Sequence, residues 1–210
     1  MKRLTAIALL LIITLGAAAQ DKIYTKKARM ADLPTRTTKV VLSGDALLEQ
    51  TLRDEVSSRW RINPFEFCTV TEYEKLKSDN SLYFLRLVRD GGLVFLSYEK
   101  GGKDSETNRL KIPFEVARVP VASDGESEGD EFLYFGAFVD ILQKFAEDSM
   151  ISDSIGYAGL KYYNRNRPKS RKVESVDITV QPSASGEHAY RLIFAKDSHE
   201  LFYISRQSAR

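Results

Sequence analysis

The sequence of 210 residues predicts a single-domain α/β (or α+β) protein with a mixed sheet, an antiparallel hairpin and a few packed helices. Short β-rich runs alternate with segments in which apolar residues recur every third or fourth position, as they do on one face of a helix. Two such runs, 81–88 and 93–98, flank Asp90-Gly91-Gly92, which has the composition of a hairpin turn. With 43% hydrophobic and 29% charged residues, the chain has the composition of a folded globular protein.

Residues 1–19 have the features of a secretory signal peptide. Lys2 and Arg3 precede an apolar run from Leu4 to Leu15, and Ala17-Ala18-Ala19 supplies small residues where a signal peptidase reads them. This run is too short to span a bilayer, which needs about 20 residues. We therefore expect cleavage after Ala19, a periplasmic or secreted mature protein, and no transmembrane segment after cleavage.

The mature chain is predicted to be electrically neutral. The sequence has 31 basic and 29 acidic residues, and removal of the signal peptide takes away two basic residues and no acidic one. A neutral chain has no general attraction for nucleic acid or for anionic membranes, so we expect no nucleic-acid partner. The single cysteine, Cys68, excludes an intramolecular disulfide. Because it lies in an apolar run, we expect a buried and unreactive thiol.

The mature chain begins with a segment that lacks hydrophobic periodicity. Residues 20–37 mix basic residues with Pro34 and predict a flexible N-terminal arm, followed by one α/β domain over 38–210. The apolar run from Val40 to Leu42 predicts the first strand of that domain. Apolar residues at every fourth position from Leu48 to Trp60 then predict an amphipathic helix.

The middle of the domain is predicted to be mostly strand. The run 65–70 is β-rich, and Thr71 with Glu74 three residues later predicts a capping box at the start of a short helix. After the hairpin, alternating apolar residues over 110–116 predict another strand. Pro113 and Pro120 indicate an edge position or an irregular end.

The last part of the domain follows an acidic loop, 123–131. Large apolar residues spaced by three or four from Phe132 to Phe145 predict a long helix whose phenylalanine stripe lies in the core. Three closing strands are predicted at 176–180, 189–195 and 201–205.

A group of aromatic motifs lies within residues 40–98: Trp60, Pro64-Phe65-Glu66-Phe67, Glu72-Tyr73-Glu74 and Ser81-Leu82-Tyr83-Phe84-Leu85. In these motifs the segment is similar to uncharacterised exported proteins of the Bacteroidetes type. Their signal peptides also often end in Ala-Gln, as Ala19-Gln20 does here. The resemblance implies a periplasmic or outer-membrane-facing α/β protein, and it supplies no active site from which residues can be transferred.

One set of short motifs imitates a serine acyl-enzyme. Ser78-Asp79-Asn80, Ser97-Tyr98-Glu99-Lys100 and Lys100-Gly101-Gly102 resemble the S-D-N, S-x-x-K and K-T-G elements of penicillin-binding proteins and β-lactamases. In those enzymes S-x-x-K comes first in the chain and begins a helix, whereas here it comes second and ends a strand. Strand alternation also predicts Ser97 and Lys100 on opposite faces of the sheet. We therefore reject this chemistry.

Neither a metal nor a cofactor is predicted. The acids of 123–131 imitate the start of a calcium loop, but position twelve of that loop is Phe135 instead of the required glutamate. His188 and His199 are the only histidines, and their spacing matches no zinc motif. Glycine-rich loops of the phosphate-binding type are absent from the sequence.

A basic segment at 162–172 holds five positive charges beside two tyrosines, and Pro168 favours an extended backbone there. Guanidinium groups beside aromatic rings suit an anionic glycan, a lipid head group or an acidic envelope protein. The alternative is a solvated linker between a helix and a strand. The candidate binding residues are Tyr162, Tyr163, Arg165, Arg167, Lys169, Arg171 and Lys172.

By elimination, the sequence favours an exported cell-envelope protein that acts by binding rather than by catalysis. The alternative is a periplasmic hydrolase whose carboxylates are dispersed along the chain and meet in space. A deep cleft lined by carboxylates would favour the hydrolase.

Overall fold

The fold was established from a computed structural model. It describes residues 27–44, 46–90, 92–102, 113–123, 134–158, 173–183, 186–195 and 201–208. Within these ranges the predicted α/β fold with a mixed sheet is confirmed, since helices pack on a sheet of five strands.

From residue 37 onward most elements follow the order that the sequence predicts, but the strand expected over 110–116 is described at 114–123, and the helix at 27–30 was not predicted. The helices are α1 (Lys27–Met30), α2 (Ala46–Arg59), α3 (Val70–Leu76), α4 (Phe135–Ile151) and α5 (Asp153–Ala158), with a 3-10 turn at Leu33–Thr35. The strands are β1 (Thr37–Leu42), β2 (Phe65–Thr69), β3 (Leu82–Asp90), β4 (Leu93–Lys100), β5 (Phe114–Ser123), β6 (Val173–Ser183), β7 (Gly186–Ala195) and β8 (Leu201–Ser208). The predicted hairpin is β3 and β4, and the three predicted closing strands lie within β6, β7 and β8.

The main sheet has the strand order β2-β1-β3-β4-β5. Strand β1 is parallel to both β2 and β3, while β3, β4 and β5 pair antiparallel. Helices α2 and α3 connect the parallel strands, because parallel neighbours need a crossover. As predicted from Pro120, β5 is an edge strand of this sheet, and its pairing with β4 is irregular beside that proline. Strands β6, β7 and β8 form a separate antiparallel sheet.

Helices α2 and α4 cover one face of the main sheet. The stripe predicted on α4 is buried there, with Phe135, Phe138 and Phe145 at most 1% exposed. Phe132, the first residue of the predicted stripe, lies outside the described residues. Helix α3 covers part of the other face, where the Tyr73 ring lies edge-on against Phe84, with 5.1 Å between ring centroids.

The segment that precedes β1 is packed on the domain from Lys27 onward, which differs from the expected flexible arm. Met30 and Leu33 are fully buried in the core that α2 and α4 share. Leu33 is the third residue after Met30, a spacing at which side chains on helical backbone lie on the same face. Asn63 fastens the segment, because its Nδ2 donates to the Leu33 carbonyl at 3.2 Å while its Oδ1 accepts from Trp60 Nε1 at 2.9 Å.

The capping box of α3 lies two residues before the predicted one. Thr69 is the N-cap, its Oγ1 accepting from the Glu72 backbone N–H at 3.2 Å. Glu72 Oε2 accepts in return from the Thr69 backbone N–H at 2.7 Å. The prediction of Thr71 and Glu74 was therefore wrong. Pairing with β1 ends β2 at Thr69, and the next residue is already helical.

Candidate binding cleft

The basic segment 162–172, with all seven candidate binding residues, lies outside the described residues, so its role stays a prediction. The acidic loop lies outside them too, apart from Ser123 at the end of β5. Among the described residues, no group of three or more histidine, cysteine or acidic side chains is placed to hold a metal ion. No described helix combines the length and the apolar character needed to cross a membrane.

The serine and lysine of the S-x-x-K imitation lie on opposite faces of the sheet, as predicted. Ser97 Oγ donates to Glu99 Oε1 at 3.2 Å on the face that α3 covers. Lys100 Nζ donates to Asp32 Oδ1 at 2.7 Å on the other side. The lysine therefore has no access to the serine hydroxyl, and acyl-enzyme chemistry has no basis here.

Cys68 is buried, as predicted, at 5% exposure. Burial raises the pKa of its thiol, and the negative charge of Glu72 adds to the shift, against a smaller opposing effect of Lys39. A thiol with a raised pKa holds little thiolate at neutral pH, which is the nucleophilic form. The predicted lack of reactivity follows from this chemistry.

A cleft of about 650 Å³ lies at the end of the main sheet where the parallel strands begin. The segment before β1 forms one wall, and the turn between α3 and β3 forms another. The end of β4 and the start of β5 complete it. The lining residues are Ala28, Arg29, Ala31, Asp32, Ser78, Asn80, Lys100, Gly101, Gly102 and Phe114.

An ion pair between Asp32 and Lys100 joins two of these walls. Lys100 Nζ donates to Asp32 Oδ1 at 2.7 Å and to the Arg29 carbonyl at 2.6 Å. The same Asp32 oxygen accepts from the Tyr83 hydroxyl at 2.9 Å, and Oδ2 accepts from Arg36 Nε at 3.2 Å. The lysine side chain is only 17% exposed. Both charged groups are thus held in place before any ligand arrives.

The Asp32 carboxyl is ionised at neutral pH. Partial burial alone would raise its pKa, but hydrogen bonds from Lys100 and Tyr83 and the positive charge of Lys100 outweigh burial. The pKa is therefore lower than the ordinary value for aspartate. A carboxyl in this state accepts hydrogen bonds and is unsuited to donating a proton.

The wall opposite the ion pair carries polar side chains and a close backbone contact. Ser78 and Asn80 are exposed, and neither side chain has a hydrogen-bond partner in the described part of the chain. A Cβ at Gly101 would overlap the Asp79 carbonyl oxygen, so the end of β4 can approach the turn only through glycine. Gly102 has φ of +110°, which also favours glycine.

An aromatic ring with a guanidinium above it completes the lining. The Arg29 guanidinium carbon lies 5.1 Å from the centroid of the Phe114 ring, which is within the range of a cation–π contact. The ring is partly exposed and lines the cleft. The cleft therefore presents one carboxylate, two cations, a hydroxyl, an amide and an aromatic ring.

A second polar cluster lies on the opposite face of the sheet and is closed. Glu99 is 5% exposed and accepts from Arg86 Nε at 2.9 Å and from the Tyr73 hydroxyl at 3.1 Å. The Arg86 guanidinium also lies over the Tyr73 ring, 5.0 Å from its centroid. Burial raises the pKa of the Tyr73 hydroxyl well above its ordinary value, and the Glu99 charge raises it further. This cluster fastens α3 to β3 and β4.

No family model, curated protein or solved structure matches this chain.

The sequence contained a signal for part of the cleft. Lys100-Gly101-Gly102 stood out in the sequence as an imitation of a K-T-G motif, and these residues do form one wall. The other wall was missed because the segment before β1 was expected to be loose. The spacing of Met30 and Leu33 is the signal that predicts its packing.

Proposed function

We propose that the protein is exported to the cell envelope and acts there by binding a small polar ligand in the cleft. The export part of the proposal depends on the signal-peptide features of residues 1–19. The binding part depends on the geometry of the cleft.

The observation that carries the binding function is a preformed concave site with convergent polar groups. Its volume of about 650 Å³ falls in the range typical of small-molecule sites, about 300–1,000 Å³. The ion pair between Asp32 and Lys100 connects two of its walls. The side chains of Ser78 and Asn80 retain unused hydrogen-bonding capacity. A preformed site has less conformational entropy to lose when a ligand binds.

The same geometry favours binding over a hydrolase that uses two carboxylates. Such an enzyme needs a pair of carboxyl groups in the site, one of them protonated at working pH. The lining of this cleft contributes one carboxylate, Asp32, which is ionised and already engaged on both oxygens. Among the described residues, the buried acid is Glu99, which is paired with Arg86 on the other face.

A titration followed by amide NMR tests this proposal. The probes are chitotriose, trialanine, glycerol 3-phosphate and spermidine, which represent four classes of small polar ligand. We expect at least one probe to shift the backbone amide signals of Ala28, Ala31, Gly101 and Gly102.

Two matched variants locate the binding. Ala31→Trp places a bulky side chain in the cleft, whereas Ala46→Trp places one on an exposed position at the other end of the sheet. Ala31→Trp should abolish the shifts and Ala46→Trp should leave them. Absence of shifts with all four probes, or shifts that survive Ala31→Trp, would refute a ligand site in the cleft.

A further inference from the structure

We propose that the ligand of the cleft is a short oligosaccharide. This inference rests on the proposed binding function and narrows it to one chemical class. It is carried by the combination of groups that the lining brings together.

The hydrogen-bonding groups of the cleft match hydroxyl groups. A sugar hydroxyl donates one hydrogen bond and accepts others, so a site for it needs donors and acceptors side by side. Ser78 offers a hydroxyl, and Asn80 offers both an amide N–H₂ and a carbonyl oxygen. Neither side chain is engaged within the described part of the chain. On the facing wall, Asp32 Oδ2 accepts one hydrogen bond, from Arg36, and keeps a lone pair for another.

The apolar part of the lining also suits a sugar. A pyranose ring has polar hydroxyls around its edge and C–H groups on its faces, which pack against aromatic rings. At the start of β5, Phe114 supplies a partly exposed ring that has the Arg29 guanidinium 5.1 Å from its centroid. The methyl groups of Ala28 and Ala31 flank the cleft. An amphipathic ligand of this kind matches a lining that is neither mainly apolar nor mainly charged.

The charges of the lining argue against other ligand classes. Lys100 is neutralised by Asp32 at 2.7 Å, and its ammonium also donates to a backbone carbonyl. The second cation of the lining, Arg29, lies over the Phe114 ring at 5.1 Å. A phosphate group would therefore have to compete with the ion pair at Lys100 and with the aromatic contact at Arg29. A polyamine would find one carboxylate, Asp32, between the cations Lys100 and Arg36. A lipid chain would have to cover these charges without replacing their hydrogen bonds, which is costly.

Isothermal titration calorimetry tests the sugar class by comparing the affinities of sugar and non-sugar probes. Three trisaccharides serve as probes, namely chitotriose, maltotriose and trigalacturonate, so that amide-bearing, neutral and acidic sugars are all represented. Trialanine, glycerol 3-phosphate and spermidine are the non-sugar probes. We expect at least one trisaccharide to bind and to bind at least tenfold more tightly than any non-sugar probe.

Point variants connect the binding to the lining. Asn80→Ala removes the amide of the cleft and should weaken trisaccharide binding about tenfold, which corresponds to loss of about 1.4 kcal/mol. Gln50→Ala removes an exposed amide on α2, whose Nε2 donates to the Asp54 carboxylate at 2.8 and 2.9 Å, and should leave the affinity unchanged. Thermal unfolding followed by circular dichroism verifies that both variants are folded.

The outcomes distinguish failure of this inference from failure of the proposed function. If trialanine, glycerol 3-phosphate or spermidine binds in the cleft and no trisaccharide does, the sugar class is wrong and the binding function stands. If no probe binds, both fail. Trisaccharide binding that is insensitive to Asn80→Ala and to Ala31→Trp would place the sugar elsewhere and would overturn the inference.

Discussion

Glu99 stands out among the described residues because it is a buried acid whose charge is compensated by a single cation, Arg86. Removing one partner of a buried ion pair leaves the other charge without compensation and costs about 3 kcal/mol or more. We predict that Glu99→Gln lowers the free energy of unfolding by about 3 kcal/mol, measured by urea denaturation.

Glu66→Gln is the matched control. Glu66 pairs with Lys39, but its side chain is 63% exposed, so its loss should change stability by less than about 0.5 kcal/mol. Equal effects of the two substitutions would show that the Glu99 cluster does not fasten α3 to the sheet.

The ion pair of Asp32 should make the stability of the fold depend on pH. Its pKa is lower in the folded protein than the ordinary value of about 3.9, so folding favours the ionised form. The stability from this carboxylate is therefore present above the unfolded-state pKa and is lost as the pH falls through the folded-state pKa.

Asp32→Asn should thus lower the free energy of unfolding at pH 7 and at pH 5, and the difference from the wild type should shrink below about pH 4. Urea denaturation at pH 7, 5 and 3 measures this difference in the free energy of unfolding. A difference that is absent at pH 7, or undiminished at pH 3, would contradict the assigned ion pair with Lys100.

Among the elements, α3 shows what local sequence can and cannot predict. A threonine followed three residues later by glutamate occurs twice, at Thr69 with Glu72 and at Thr71 with Glu74. Both satisfy the capping-box pattern equally well. The pairing of β2 with β1 selects the first, and that pairing is a long-range contact that the local pattern does not contain.

We predict that Thr69→Ala lowers the free energy of unfolding by about 1 kcal/mol, because it removes the N-cap. Thr71 is the second residue of the helix and is exposed. Thr71→Ala should therefore change the free energy of unfolding by less than about 0.5 kcal/mol. Thermal and urea unfolding of the two variants measure this contrast, and the reverse order of effects would restore the original prediction.

At the scale of the whole molecule, the strands and helices were predictable because their apolar residues recur at the period of each element. The phenylalanine stripe of α4 and the β3-β4 hairpin are examples. The cleft was not predictable in this way. Arg29, Asn80 and Phe114 are far apart in the chain and meet only because the strand order brings their segments to one end of the sheet.

The proposed export is a property of the whole chain, and it rests on the signal-peptide features of residues 1–19. We predict that intact-mass measurement of the protein recovered from the envelope fraction gives a chain that begins at Gln20. Recovery of a chain that retains Met1, or recovery from the cytoplasmic fraction, would contradict export.

The central claim is that the ligand lies in the cleft between the segment before β1 and the end of β4. A crystal structure of the mature protein with the tightest-binding of the three trisaccharides tests it most directly. We predict a sugar ring against Phe114 with hydroxyls hydrogen-bonded to Asn80 and Asp32. A sugar bound at the basic segment 162–172, with none in the cleft, would contradict the claim and would favour the site that the sequence predicted.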